Sequence, residues 1–530
     1  MKTKLFVAIA IFSLPFALRA QEERVDLSVV NRIRSEALEN SKVMDHVFYL
    51  TDVYGPRLAD SPNYVKAAAW AVKTLKEYGL EDAKTEKWGA FGHTWTWSRI
   101  SVNMIEPQET TLIAVPLAWS PGTDGPMTGE VLVAPMRTVE EGEKYKGKLK
   151  GKIVFTQAAP ELKLHLEPDA KRYTDADLVS RAMAPEPGER DRFMMGPQRP
   201  GERPRNMEDY RQNRLKFIQF LKDEGVLAVV SAGGANGDDG TIFSGPAGSR
   251  DAKEPVPPVS IGLASEHYNR IARLVEKNIP VKLEIDLRSK ILDEVDGVNV
   301  IANLPGGAKK DEVVMVGGHL DSWATGTGAT DNAAGAAVAM EAVRILKALN
   351  VKMDRTVRIG LWDAEEEGLI GSREYVKAHF ADRETMELKP EYSRVSGYFN
   401  YDNGTGKIRG IYLQDNDMLR PVFEAWLAPF KDLGATTVSI RRTGGTDHQS
   451  FDGVGLPGFQ FIQDPLDYGS RTHHTNMDVY DHVQAGDLMQ SSAIVASFLY
   501  NAATRPQMLP RKPMPKPRRP DQPKPEQPKP

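Results

Sequence analysis

His319, Asp331, Glu366, Asp402 and His474 are residue types that bind zinc, and each follows or lies close to a short apolar run that reads as a strand. Beside Glu366 stands Glu365, a further carboxylate that no structural need explains. Zinc takes imidazole nitrogen and carboxylate oxygen, and a catalytic ion keeps one position for water. Two ions ~3.5–4 Å apart can share a hydroxide and clamp the reacting oxygens. One histidine and one terminal carboxylate per ion, with one carboxylate bridging both, is a set that this inventory fills. The chemistry it predicts is metal-assisted hydrolysis, provided the six side chains meet.

Each motif also has a plainer reading. In "VVMVGGHLDSW" a buried strand ends in two glycines before His319. A lone histidine there is more often packed than ligating. Asp321, two residues on, favours a ligand, because it could hold the other ring N–H and fix the tautomer. Asp331 in "GATDNAAGAA" precedes a run of small residues and could simply cap a helix. The glutamates of "LWDAEEEGLIGS" follow Trp362 and precede Leu369-Ile370, so a solvated charged face fits poorly. Cations would offset their repulsion, letting one glutamate ligate while its neighbour, raised in pKa, accepts a proton. Asp402 in "GYFNYDNGTG" fits an ordinary Asp-Asn turn equally well. Adjacent His473 and His474 carry weight only together with the other segments.

The elements that must position these residues alternate. Strands are expected at Val313–Val316, Thr356–Trp362, Ser396–Tyr401 and Phe459–Ile462. Helices are expected at Asn332–Leu349, Asp417–Phe430 and Ala485–Tyr500. This order predicts an α/β fold, a doubly wound, mostly parallel sheet with helices on both faces. Strand carboxyl ends are where such sheets bind ligands. Ahead of it, Ser61-Pro62 opens a helix that Gly79 closes, and strand-like runs follow at Ile100–Ile105 and Thr111–Leu117. From about Gly125 the texture changes to short buried-strand patterns ("GEVLVAP", "GKIVFT", "GVLAVVSAGG", "VPPVSIG"), interrupted over 159–213 by a charged, proline-rich excursion. The tail from Arg505 is nearly all Pro, Lys, Arg and Gln, and is expected to stay extended and unpacked.

With 530 residues the chain should hold two or three domains. A formal charge of -4 is too mild to argue for nucleic acid or an anionic membrane. Lys2, Lys4 and the apolar run Leu5–Leu18 before Ala20 read as a cleaved export signal over 1–20, too short for a bilayer span. Losing Lys2, Lys4 and Arg19 would take the charge from -4 to -7. No later stretch is apolar enough to cross a membrane. The chain has no cysteine, so its metal ligands must be His, Asp and Glu. A peptide or dipeptide is the expected partner, and oligomeric state is left open.

At this point the chain resembles the double-zinc aminopeptidases and their plasma glutamate carboxypeptidase relatives. "GGHLDS", "TDNAAG", "AEEEGLIGS", "NYDNGTG", "GGTDHQSF" and "HHTNMD" occur in that family's order. The resemblance implies two Zn2+ per chain and a discontinuous catalytic domain, 24–124 with 288–504. It also implies a protease-associated domain inserted at 125–287. By the same resemblance His319, Glu366, Asp402 and His474 would be terminal ligands and Asp331 the bridge. Glu365 would be the general base, and Asp321 and His473 would assist, the latter at the oxyanion. Thr446, Asp447 and His448 would line the substrate pocket, His448 from behind. The triple glutamate permits a register one residue later; "GLIGS" supports Glu365 and Glu366. The implied activity is exopeptidase, of the aminopeptidase type, with carboxypeptidase or dipeptidase action and a non-catalytic binding protein as rivals.

Overall fold

The structure, a computed structural model, describes residues 23–185, 207–234 and 237–517. The export signal expected over 1–20, and part of the proline-rich excursion, lie outside the described residues. Four parallel strands form the heart of the catalytic half, in spatial order Gly458–Gln463, Val395–Asn400, Lys309–His319 and Arg355–Trp362. Ile408–Tyr412 joins antiparallel beyond Gly458–Gln463, and Thr437–Ser439 pairs parallel with it. This is the mixed, mostly parallel α/β sheet that the alternation predicts.

Helices cover both faces. On one lie Pro62–Glu77, Ala334–Ala348 and Ala485–Thr504; on the other lies Ile370–His379, with Trp362, Tyr375 and Phe451 in its core. The Pro62–Glu77 helix starts where Ser61 accepts the Tyr64 N–H, with proline in the first turn. Ala334–Ala348 is buried almost throughout, and its small opening residues let it lie flat on the sheet. A Cβ on Gly335 would stand 2.1 Å from the Tyr401 carbonyl, so only glycine permits that approach.

The Lys282–Leu304 strand borders the catalytic sheet, antiparallel to Arg355–Trp362, and continues past it. It pairs antiparallel with Glu81–Glu106 along nearly its whole length, as far as Glu106 opposite Lys282. Its first residues also pair with Met127–Val133, which opens a second parallel set: Met127–Val133, Lys152–Phe155, Ala228–Ala232 and Val259–Leu263. This set has its own apolar core around Phe155, Tyr268 and Leu283. The excursion that interrupts it contains helices Asp175–Ala182 and Met207–Asp223. Among the described residues no helix is long and apolar enough to cross a membrane.

The tail departs from expectation. Residues 505–517 run back over the sheet instead of staying free. Leu509 is buried and its N–H donates to Ser396 Oγ. Arg511 donates to the Tyr392 and Val395 carbonyls, and Lys512 to that of Gln414. Arg505 Nε donates to the Glu23 carboxylate at 3.0 Å. One leucine and three cations thus anchor what composition alone reads as solvated. Residues 518–530 lie outside the described residues.

Candidate metal centre

All the strand ends that carry predicted ligands open on one side of the sheet. His319 is the last residue of its strand, Glu365 and Glu366 follow Trp362 in a tight turn, and Asp402 comes two residues after Asn400. His474 arrives on the loop after Gly458–Gln463, beyond the π-helical turn Tyr468–Thr472. Asp331 sits between its strand and the Ala334–Ala348 helix, in extended rather than helical backbone. The cap position of that helix is Ala333 and no side-chain cap bond is made there, so Asp331 is not a helix cap.

The side chains converge on Asp331. His319 Nε2 is 3.1 Å from Asp331 Oδ1 and 3.6 Å from Asp402 Oδ1. His474 Nε2 is 3.1 Å from Asp331 Oδ2 and 3.0 Å from Glu366 Oε2. Two groups thus share Asp331, one oxygen each: His319 with Asp402, and His474 with Glu366. His473 stands close enough to the second group to offer a ligand atom as well, 3.7 Å from Asp331 Oδ2.

The donor set fits zinc. Asp331 Oδ2 and Glu366 Oε1 are buried without a hydrogen-bond partner among the described residues, an arrangement that is costly unless a cation is there to meet them. The electrostatics agree. Burial alone disfavours a charged imidazole, yet Asp402 and then Glu365 raise His319 well above the ordinary histidine range. Burial pushes Glu366 up to about 7. It also raises Glu365 well above the usual carboxylate range, against the pull of His319. This is a cage with excess negative charge that calls for positive charge.

Supporting contacts differ in part from expectation. His319 Nδ1 lies 3.1 Å from the Asp321 carbonyl oxygen and 3.5 Å from its carboxylate. The ring N–H is thus held by main chain, not by the side chain that the spacing suggested. The Asp321 carboxylate instead accepts the backbone N–H groups of Glu365 and Glu366, each at 3.2 Å, and so sets the turn that presents both glutamates. Glu365 and Glu366 line the cavity and Glu367 does not.

A cavity of about 500 Å3 opens beside these groups, lined by Glu365, Asp402, Thr446, Tyr468 and His473 among others. Thr446 lines it and accepts from Asn400 Nδ2. Asp447 lies fully buried behind the wall, where burial raises its pKa to about 7. His448 does not line the cavity: its Nε2 lies 3.1 Å from both Gln414 and the Thr443 carbonyl. That places it as a packed residue, for which a helix-opening position inside the fold leaves no route to substrate.

Three residues were not singled out from sequence. Asp478, at the end of "HHTNMD", accepts the backbone N–H groups of Thr330 and Asp331. Arg57, fully buried, donates to the carbonyls of Leu50, Leu320, Thr327 and Gly328 and ties the loop before Asp331 to the N-terminal segment. Tyr468 faces the cavity, its ring 4.7 Å from that of His473. Only Asp478 had a local signal, its place in a motif already dense in ligand-type residues.

Carboxypeptidase Q of Mus musculus is 26% identical over 464 residues, which cover 87% of this chain and 86% of its own length. Among solved structures, a peptidase M28 precursor from Shewanella amazonensis shares the fold with a TM-score of 0.66 at 24% identity, over 92% of this chain and 98% of that one. A zinc aminopeptidase from Bacillus subtilis does so with a TM-score of 0.53 at 19% identity, over 87% and 94%. Residues 299–499, the stretch that holds every side chain placed around Asp331, match the model of Peptidase family M28.

Proposed function

We propose that this chain is an exported zinc exopeptidase that releases residues from the amino end of peptides, using two metal positions that share Asp331. The observation that carries this reading is the pairing of His319 with Asp402 and of His474 with Glu366 across the two oxygens of one aspartate. His319, Asp331 and Asp402 would hold one zinc; Asp331, Glu366 and His474 would hold the other. Zinc bound there would supply Lewis acidity to the scissile carbonyl and make a water acidic enough to lose its proton near neutral pH. Exported residues 125–287 are read as the inserted protease-associated-like unit.

The protein's own groups do the rest. The Glu365 carboxylate takes the proton of the attacking water and passes it to the leaving amine nitrogen. Asp321 fixes Glu365 by holding its N–H. His473 stands at the cavity wall, where its ring can donate one N–H to the developing oxyanion.

The choice of end follows from charge. The residues lining the cavity include Asp331, Glu365, Glu366 and Asp402 and no Lys or Arg. Zinc would offset the charge of Asp331, Glu366 and Asp402, which leaves Glu365 to meet an α-ammonium group, while the lining offers no Lys or Arg to an α-carboxylate. Carboxypeptidase action is the second reading, favoured by the extent of the match to carboxypeptidase Q. Blocked peptides decide. N-acetylation should abolish hydrolysis of a tripeptide and C-amidation should not; the reverse pattern would overturn the assignment.

A further inference from the structure

We propose that Phe243, contributed by the second parallel-strand unit, is a specificity-determining residue that receives an apolar side chain of the peptide. The proposal rests on the exopeptidase reading above. Phe243 is 47% exposed, unusual for a ring so firmly held at its backbone. Its N–H donates to the Gly233 carbonyl at 2.8 Å, and it pairs antiparallel with Thr475, the residue after His474. The ring meets that of His474 edge-on, with centroids 5.8 Å apart.

The loop around it is built onto the metal centre. Ser244 N–H donates to the His474 carbonyl at 2.6 Å. Asn476 accepts from Ile242 N–H at 2.6 Å and donates to the Gly240 carbonyl at 3.1 Å. His474 itself adopts φ 57°, a left-handed backbone that a non-glycine residue keeps only when its surroundings enforce it. Glycines make the seat for the ring: a Cβ on Gly234 would lie 2.7 Å from Phe243 Cβ, and one on Gly245 3.1 Å from its Cε1. A large aromatic ring is thus fixed against a cavity-lining histidine with half its surface open. An apolar side chain of a peptide whose reacting end occupies the adjacent cavity is the occupant of matching chemistry and reach.

The test uses the zinc-loaded full chain and four tripeptides: Leu-Gly-Gly, Ala-Gly-Gly, Gly-Leu-Gly and Gly-Ala-Gly. The wild type should favour Leu over Ala at one of the two positions, measured as kcat/KM. In Phe243→Ala that ratio should fall about tenfold, the scale that a few methylenes contribute in an apolar pocket. Phe243→Leu should keep most of it. Zinc content and melting temperature of both variants should match wild type, which separates lost contact from a disturbed His474. An unchanged Leu/Ala ratio in Phe243→Ala at both positions overturns the proposal, as does an equal loss on all four peptides. If the wild type cleaves none of the four, the exopeptidase reading fails first.

Discussion

The carboxylate of Asp478 accepts the backbone N–H of Asp331 at 3.1 Å, and its other oxygen accepts that of Thr330 at 2.6 Å. One acid thereby sets the orientation of another. Burial pushes Asp478 up to about 7, with Asp331 adding to the rise and the two backbone donors pulling the other way. Asp478→Asn should weaken zinc binding ~10–100-fold, the usual effect of losing a group that orients a metal ligand. Competition against a zinc-buffering chelator measures this, and wild-type affinity in the variant would remove Asp478 from the positioning scheme.

Glu365→Gln separates metal binding from proton transfer. The amide keeps the shape and the backbone contact to Asp321, and Glu365 is not needed to complete either ligand group. Two zinc ions per chain should therefore remain, while kcat should fall ~10²–10⁴-fold or more, the range assigned to a positioned base. Appreciable turnover by the metal-replete variant would show that another group accepts the proton.

Arg57 is a test of scaffold rather than chemistry. Arg57→Met would strip donors from the carbonyls of Leu50, Leu320, Thr327 and Gly328. Gly328 would keep the Ala333 N–H, so three acceptors are left unpaired; at ~1–3 kcal/mol for each, the loss should be about 3 kcal/mol or more. Urea unfolding would read it. A variant within 1 kcal/mol of wild type, roughly the effect of an ordinary surface change, would show that the loop before Asp331 relaxes freely.

His379 gives a pH signature away from the metal centre. Hydrogen bonds to Glu391 and Glu86 raise it from 6.5 to about 9, and the His379 contact lowers Glu86 from 4.5 to about 2. The histidine's contribution is therefore whole below pH 6.5 and lost as pH rises through 9. That of Glu86 is whole above pH 4.5 and lost as pH falls toward 2. The two shifts describe one interaction, partly open to solvent, so ~1 kcal/mol is the expected size. His379→Gln should flatten the fall in stability between pH 6.5 and 9. An identical slope in the variant would mean the pair contributes nothing.

The parallel core was legible because buried strands announce themselves. Val313–Val316 and Thr356–Trp362 are runs that only a strand covered on both faces would carry, and both lie inside observed strands. Boundaries were less legible. The expected Asp417–Phe430 helix is α-helical only over Arg420–Leu427, flanked by 3-10 turns, because Pro421 and Pro429 restrict where regular bonding can begin and continue. Ile100–Ile105 gave no hint of belonging to a 26-residue strand, since much of its partner surface is solvent-facing and so not apolar. Around Asp331 the side chains that gather were legible by type, and the backbone bonds that aim them were not. Asp321, Asp478 and Arg57 act on N–H groups and carbonyls, which every residue has and no sequence pattern marks.

The hairpin formed by Glu81–Glu106 and Lys282–Leu304 closes at Glu106 opposite Lys282. Everything from 107 to 281 emerges from its tip, so a short turn joining those two positions could restore an unbroken ribbon. Excision would nevertheless strip the main-chain carbonyl of residue 474 of its outer brace, because Ser244 would go too. Architecture makes the appendage dispensable for closing the ribbon, yet ties it to the tuning of the chemistry.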